Sequence, residues 1–244
     1  MGKIKAEDIK NFKVEGKVFD EKTLFAIYKL MSRGVVKTVE STVKEGKESV
    51  VLSGKDKDDN WLALKVYRVL HCDFKTMWKY LIADPRFFRV RKSRRHIILT
   101  WAKREFKNLK IAFNAGVSCP KPIAIYENVL VMRFIGEEGI PAPRLVDVEI
   151  EIEDLEEIYS QIVEEMKKMA RAKLIHGDLS PFNILLLDKP YLIDFSQGIT
   201  YEHPLASQFL SSDVKNINKF FEKKGVKIDE NLYEELAQLL GLKK

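Results

Sequence analysis

The apolar residues of this chain follow a strand pattern up to about residue 136 and a mainly helical pattern after it. Residues 35–68 contain the runs VVKTV, SVVLS and WLALKVYRV, separated by turns rich in Gly, Lys and Asp. They predict an antiparallel sheet of at least three strands. The later sequence predicts a long helix over 144–173, short strands at 183–187 and 190–194, and two final helices. An α+β fold of two lobes follows, with the segment GEEGIPAP at 136–143 between them.

Three further helices are predicted in the first part of the chain. Residues 20–33 place apolar side chains at helical spacing, with Asp20 as N-cap and Gly34 as the stop. A short helix is predicted around 73–82, and a longer one over 101–116, ended by Gly116.

Composition excludes several classes of protein. The chain has 244 residues, which suits one large domain or two small lobes around a cleft. Cys72 and Cys119 lie far apart without a CxxC motif, which argues against a zinc cluster and against a secreted disulfide scaffold. No apolar run reaches the roughly 18 residues of a membrane span, and no signal-peptide core is present. We expect a cytoplasmic protein that does not bind membranes.

The positive charge is concentrated in one short segment. The chain has 42 Lys and Arg against 36 Asp and Glu, a net charge of +6. The segment RFFRVRKSRR at 86–95 contains six basic residues, which equals the whole excess. One interpretation is a solvated loop. The other is a patch for a polyanion, with the basic side chains on phosphates and Phe87 and Phe88 stacked on bases.

The second half carries a pattern typical of phosphoryl transfer. Residues 175–183 read IHGDLSPFN, and LID follows at 192–194. In this layout Asp178 orients the hydroxyl nucleophile, and Asn183 and Asp194 hold the metal. A few hard oxygen ligands suit Mg²⁺, which takes its remaining ligands from phosphates and water.

The first half supplies groups for the phosphates of a nucleotide. Strand alternation puts Ala63 and Lys65 of WLALKVY on one face. The small Ala63 would leave room for an adenine, and the ammonium of Lys65 would reach the phosphates. Glu105 is the candidate to pair with Lys65. The segment EGKES at 45–49 is a candidate phosphate-covering turn, although it is neither G-x-G-x-x-G nor a Walker A sequence.

Taken together, these motifs resemble the RIO family of atypical protein serine kinases. The matching segments are GKES at 46–49, ALKVYR at 63–68, REFKNL at 104–109, VLVMRFIGE at 129–137, LIHGDLSPFNIL at 174–185, YLIDFSQ at 191–197 and HPLASQFLSSDVKNINKFF at 203–221. The chain is most similar to the first, archaeal subfamily, which has no winged-helix domain. It departs from the pattern of that subfamily at two places, with KEGKES for STGKEA and Arg133 for Glu.

The resemblance implies a two-lobed protein-kinase-like fold. An N-terminal helical extension would cover 1–34, an N-lobe with an antiparallel sheet and a C-helix 35–135, and a mostly helical C-lobe 136–244. HGD stands where ordinary kinases have HRD, DFS stands for DFG, and no APE follows. The C-lobe is therefore expected to lack an activation loop and peptide-binding helices.

The resemblance also implies the roles of single residues. Lys65 and Glu105 would form the ion pair, Asp178 would be the catalytic Asp, and Asn183 and Asp194 would bind Mg²⁺, with Mn²⁺ as an alternative. Asp194 would also accept phosphate, giving an aspartyl-phosphate in an ATPase-like cycle. ATP would contact the turn Gly46, Lys47, Glu48 and Ser49, the adenine-sandwiching side chains of Val51, Ala63, Leu185 and Ile193, Met132 behind the base, and the backbone of Arg133 and Ile135.

Three functional hypotheses remain open at this point. The first is a RIO-type serine kinase and ATPase with autophosphorylation, expected at Ser93, and an implied role in small ribosomal subunit maturation. The second is a small-molecule kinase of the aminoglycoside or choline type. The third is an ATP-switched assembly factor that binds the pre-small-ribosomal subunit or its rRNA through residues 86–95. The protein substrate is not predicted.

Overall fold

A five-stranded antiparallel sheet forms the first half of the structure, a computed structural model that describes residues 19–69, 72–87 and 90–242. Its strands are β1 (Thr38–Glu45), β2 (Ser49–Lys55), β3 (Trp61–Tyr67), β4 (Pro122–Tyr126) and β5 (Val129–Arg133), in the order β1-β2-β3-β5-β4. Neighbouring strands pair antiparallel, with Ser53 opposite Ala63 and Ala63 opposite Met132. The meander predicted for 35–68 is present as β1 to β3.

Three helices accompany this sheet. Helix α1 (Glu21–Ser32) begins at Asp20, whose side chain accepts the N–H of Thr23, and its apolar face packs against the sheet core. Helix α2 spans Phe74–Ala83 and helix α3 spans Arg94–Asn114. Helix α3 begins at Arg94 rather than at 101, because the Ser93 side chain caps the N–H of His96 and the basic residues Arg94 and Arg95 continue the helix.

The second half is mostly helical. Helix α4 spans Ile152–Arg171, α5 spans Ala206–Glu222 and α6 spans Leu232–Leu240. The helix predicted from 144 begins at Ile152, because Leu145–Asp147 form a separate 3-10 turn and Glu151 is extended. Short antiparallel pairs complete this half: β9 (Ile184–Leu186) with β10 (Pro190–Leu192), and β8 (Leu174–Ile175) with β11 (Ile199–Thr200).

The segment between the two halves is folded. Strands β6 (Gly136–Glu137) and β7 (Ile140–Pro141) form a hairpin whose turn lies against the ring of Trp61. Gly139 has a φ of +80°, and a Cβ there would lie 2.7 Å from that ring, so the close contact requires glycine. The predicted linker is therefore anchored to the sheet.

The two-lobed α+β fold predicted from the sequence is confirmed, with one apolar core under the sheet and a larger one among α4, α5 and α6. The boundaries at 34 and 135 remain predictions. None of the helices in the described ranges is both long enough and apolar enough to cross a membrane.

Candidate active site

A cleft of about 690 Å³ lies between the sheet and the second half of the chain. Its volume is in the range of small-molecule sites. Every residue that the sequence assigns to ATP lies on its wall, namely Gly46, Lys47, Glu48, Ser49, Val51, Ala63, Lys65, Met132, Arg133, Ile135, Leu185 and Ile193. Glu105, Asn183 and Asp194 line the same cleft.

Lys65 stands between two carboxylates. Its Nζ lies 2.9 Å from Oε1 of Glu105 and 2.7 Å from Oδ1 of Asp194. The side chains of Lys65 and Glu105 are 7% and 2% exposed. Burial alone would favour the neutral amine, but the charges of Asp194 and Glu105 outweigh it and raise the pKa of Lys65 above its usual value. The ammonium therefore stays charged where a phosphate would meet it.

The second oxygen of Glu105 is also used. The Tyr67 hydroxyl donates to Oε2 of Glu105, and both side chains are buried. Burial raises the pKa of Glu105, against the opposing effect of Lys65. Sequence reasoning missed Tyr67, although the alternation that pairs Ala63 with Lys65 also points Tyr67, the seventh and last residue of the same strand, in that direction.

Asp194 follows β10 in a left-handed backbone conformation with a φ of +64°. Its side chain is 39% exposed and is in direct contact with Lys65. Burial would raise its pKa, but the charge and hydrogen bond of Lys65 lower it well below the usual value. Asp194 is therefore ionised, as a metal ligand or a nucleophile must be.

Asn183 lines the same cleft, and Asp178 is hydrogen-bonded to it. Asn183 Nδ2 donates to the carbonyl oxygen of Asp178 at 2.8 Å and to its Oδ2 at 3.3 Å. Partial burial and the nearby charge of Asp194 raise the pKa of Asp178, which makes it a stronger base. The buried Asp213 accepts the N–H groups of Gly177 and Leu179, at 2.8 Å each, and so holds the loop around Asp178. Sequence reasoning missed Asp213, because it lies on α5, far along the chain.

His176 is buried behind this loop. Its Nε2 lies 3.0 Å from the carbonyl oxygen of Ile193, and its ring packs on Phe195. Burial lowers the pKa of His176 to about 4, so the imidazole is neutral at pH 7 and donates to that carbonyl. It is therefore a structural group next to the site.

The nucleotide end of the cleft shows a constraint on the predicted backbone contacts. Met132 stands opposite Ala63 across β3 and β5, so the two side chains border one region of the wall. The N–H of Arg133 donates to the carbonyl oxygen of Lys121 at 2.8 Å. An adenine contact at Arg133 would therefore have to use its carbonyl oxygen. The side chain of Arg133 pairs with Asp56 at 3.0 Å.

The metal ligands predicted from the sequence fit Mg²⁺ by their chemistry. Asn183 would contribute an amide oxygen, since its nitrogen is hydrogen-bonded to Asp178, and Asp194 would contribute a carboxylate. Within the described residues there is no group of three or more His, Cys, Asp or Glu side chains that could hold a metal by itself. Such a sparse oxygen set suits a cation that keeps water and phosphate ligands.

The basic segment 86–95 divides into paired and exposed charges. Arg86 pairs with Asp84 at 2.6 Å, and Arg95 pairs with Glu127 at 2.8 Å. Arg91, Lys92 and Arg94 are exposed. Phe88 and Arg89 lie outside the described residues, and Phe87 is buried rather than free to stack on a base. Ser93 is exposed at the start of α3.

Comparisons with known proteins give consistent matches over most of the chain. The family model described as the RIO domain matches residues 50–234. The RIO-type serine/threonine-protein kinase Rio1 of Methanocaldococcus jannaschii is 43% identical over 220 residues, covering 89% of this chain and 74% of the relative. Its namesake in Haloferax volcanii is 38% identical over 234 residues, covering 95% and 80%.

Solved structures show the same fold. The Rio2 kinase–ADP/Mg²⁺–phosphoaspartate complex from Chaetomium thermophilum superposes with a TM-score of 0.71 at 23% identity, covering 97% of this chain and 75% of that one. Another structure of the Rio2 kinase from this organism gives a TM-score of 0.70 at 25% identity, covering 93% and 70%.

Proposed function

The chain belongs to the RIO family, and from this premise we propose that it is an ATP- and Mg²⁺-dependent serine/threonine protein kinase that also hydrolyses ATP. The single observation that carries the proposal is the convergence of Lys65, Glu105 and Asp194 in one cleft, with Asn183 lining the same cleft and hydrogen-bonded to Asp178. These are the groups that phosphoryl transfer requires.

Each group has a distinct part in the reaction. Lys65 holds the α- and β-phosphates of ATP, and Glu105 with Tyr67 fixes its ammonium. Asn183 and Asp194 would hold Mg²⁺, which neutralises charge on the phosphates when it is bound. Asp178 orients the acceptor hydroxyl and takes its proton as the oxygen bonds to the γ-phosphorus and the bond to the departing ADP breaks.

Hydrolysis would use Asp194 itself. Its ionised carboxylate attacks the γ-phosphorus, ADP departs with the bridging oxygen, and an aspartyl-phosphate remains. Water then cleaves this acyl phosphate to phosphate and restores the carboxylate. Two observations support the step: the lowered pKa of Asp194 and its 39% exposure toward the cleft. The phosphoaspartate in the Chaetomium thermophilum Rio2 complex is a precedent in a protein of the same fold.

Labelled ATP tests this proposal. The protein is incubated with γ-labelled ATP and Mg²⁺, and free phosphate, acid-stable phosphoserine and hydroxylamine-labile label are separated. We expect all three from the wild type, with Ser93 as the acid-stable site. In Asp194→Asn the hydroxylamine-labile label disappears, and ATP hydrolysis falls on the order of a hundredfold.

Asp188→Asn is the matched control, because Asp188 is an exposed carboxylate in the β9–β10 turn. It should retain wild-type labelling. Unchanged hydrolysis in Asp194→Asn would contradict the proposal.

A second function is favoured by the exposed charges of the basic segment. Arg91, Lys92 and Arg94 are unburied at the start of α3, the helix that carries Glu105. We propose that they bind the RNA of the pre-small-ribosomal subunit in a cytoplasmic maturation step, with nucleotide state as the switch. The small-molecule kinase hypothesis has no comparable observation in its favour.

Binding to small-subunit RNA at several salt concentrations tests this second function. Neutralising Arg91, Lys92 and Arg94 together should weaken binding. The slope of the logarithm of the binding constant against the logarithm of salt concentration should become less steep by about 3. The matched triple variant Lys22→Gln, Lys215→Gln and Lys219→Gln removes three exposed positive charges elsewhere. Equal losses in both triple variants would argue for a general charge effect and against this surface.

A further inference from the structure

Side chains from helix α3 hold the turn that follows Asp194 by its carbonyl groups. Residues Phe195–Gln197 form a 3-10 turn directly after Asp194, and Gly198 comes next. Asn108 Nδ2 donates to the carbonyl oxygen of Phe195 at 2.9 Å and to that of Gly198 at 2.7 Å. The Asn108 side chain is fully buried. One amide group therefore spans both ends of the turn.

Arg86 fixes the orientation of that amide. Its Nη1 donates to Oδ1 of Asn108 at 2.7 Å, and its Nη2 reaches the carbonyl oxygen of Gly198 at 3.3 Å. Turning the amide over would place its oxygen against two carbonyl oxygens and its nitrogen against a guanidinium. The observed orientation is therefore the one that satisfies every partner.

Asp84 in turn holds Arg86. Arg86 Nε lies 2.9 Å from Oδ1 of Asp84, and Nη2 lies 2.6 Å from Oδ2, which is the bidentate arrangement of a strong pair. The Asp84 side chain is 1% exposed. Burial opposes the charged carboxylate, but the hydrogen bonds and charge of Arg86 lower the pKa of Asp84 below its usual value.

The contact between the turn and Asn108 is tight. A Cβ on Gly198 would lie 2.7 Å from Nδ2 of Asn108 and 3.1 Å from the carbonyl oxygen of Phe195. No larger residue fits at this position without moving the amide. The turn therefore fits closely against Asn108 on α3, and Asp194 directly precedes the turn in the chain.

We propose that Asp84, Arg86 and Asn108 form a carbonyl clamp that positions Asp194. The three are positioning residues, since they act on Asp194 through the backbone of the turn. The inference rests on the proposed function in one respect, namely that the Asp194 carboxylate binds Mg²⁺. It also gives Arg86 a role distinct from that of the exposed basic residues of 86–95. The left-handed backbone at Asp194 costs conformational free energy. The clamp offsets this cost because it holds the residues that follow Asp194.

Hydrogen exchange of the nucleotide-free protein tests the clamp directly. The variants are Arg86→Gln, which removes the fork, and Arg86→Lys, which keeps a positive charge beside Asp84 but lacks the fork. Lys110→Gln is the control, because Lys110 is an exposed cation on the same helix two residues from Asn108. We expect amide exchange in peptides covering 194–198 to accelerate about tenfold in both Arg86 variants and to stay at the wild-type rate in Lys110→Gln.

Nucleotide binding with and without Mg²⁺ separates positioning from a general structural effect. ADP is titrated calorimetrically at several Mg²⁺ concentrations. Mg²⁺ is expected to increase the affinity for ADP, and in Arg86→Lys the Mg²⁺ concentration that gives half of this increase should rise about tenfold. The affinity for ADP without Mg²⁺ should stay within about twofold of wild type. A purely structural role would instead reduce ADP affinity equally under both conditions, and that result would overturn the proposal.

The remaining outcomes are also decisive. Wild-type exchange and Mg²⁺ dependence in folded Arg86→Lys would refute the clamp, whether or not Arg86→Gln folds. Failure of the wild type to bind ADP at all would refute the proposed function instead. The exchange experiment uses no nucleotide, so it would still support or overturn the clamp in that case.

Discussion

The two sides of the cleft differ in how far the protein satisfies its own polar groups. On the sheet side, Lys65 and Glu105 are buried and every charged atom named above has a partner within the fold. On the loop side, Asp178 is exposed and hydrogen-bonded to Asn183, its neighbour in the same loop. The sheet side is preassembled, whereas the loop side is left open for ligands. The difference predicts that mutations on one side affect stability and mutations on the other affect turnover.

The largest expected effect is on turnover at the open side. Asp178→Asn removes the base, and the rate of phosphoryl transfer should fall about a hundredfold or more. Because Asp178 is exposed, the free energy of unfolding should change by no more than about 0.5 kcal/mol. Turnover assays and urea unfolding check both parts. A loss of stability as large as the loss of activity would break the comparison between the two sides.

The next effect is on stability at the buried side. Lys65→Met leaves Glu105 charged and unpaired in the core, and we expect the free energy of unfolding to fall by about 3 kcal/mol. Adding Glu105→Gln removes the unpaired charge while keeping an acceptor for Tyr67, so the double variant should regain most of that loss. Urea unfolding of the two single variants and the double variant measures the coupling. Strictly additive losses would contradict a paired, preassembled wall.

The last effect concerns pH. Unfolded His176 binds a proton below its ordinary pKa of 6.5, but buried His176 stays neutral down to about 4. The stability that it contributes is therefore present above pH 6.5 and is lost as pH falls through about 4. Since one pKa unit corresponds to about 1.4 kcal/mol, the total loss is about 3 kcal/mol.

Asp213 acts in the opposite direction over the same interval. Burial outweighs its two backbone donors and raises its pKa to about 7, so folding gains from the retained proton as pH falls. The prediction is therefore a difference between proteins. His176→Phe should lower the unfolding free energy at pH 7, and its stability should fall less steeply than that of the wild type between pH 6.5 and pH 4. Parallel stability curves for the two proteins would contradict a buried neutral imidazole.

Local signals in the sequence predicted much of this molecule. Alternation over 61–67, the cap at Asp20 and the spacing of Asp178, Asn183 and Asp194 are each visible within a short window. The structure shows the first as a strand and the second as a helix start. It places Asn183 and Asp194 on the cleft wall, with Asp178 hydrogen-bonded to Asn183. Such signals depend on residues close in the chain, which a single sequence displays directly.

Contacts between distant residues were the part that the sequence did not reveal. Arg86 meets Gly198 across 112 positions, and nothing in RFFRVRKSRR distinguishes this partly buried arginine from the exposed Arg91, Lys92 and Arg94. The start of α3 was hidden for a related reason, since its first turn lies inside the same basic run. In the sequence, Tyr67 and Asp213 look like ordinary strand and helix residues. Their hydrogen-bond partners lie far away in the chain and are visible only in the structure.

The left-handed backbone at Asp194 determines which substitutions are informative there. Asparagine tolerates a φ near +64° almost as well as aspartate does, so Asp194→Asn changes charge with little change in backbone preference. Alanine or valine would add conformational strain to the loss of the carboxylate, and glycine would release the backbone as well as remove the group. The activity of those variants would reflect both the loss of the carboxylate and a change in the backbone. Asparagine is the replacement that separates the two effects.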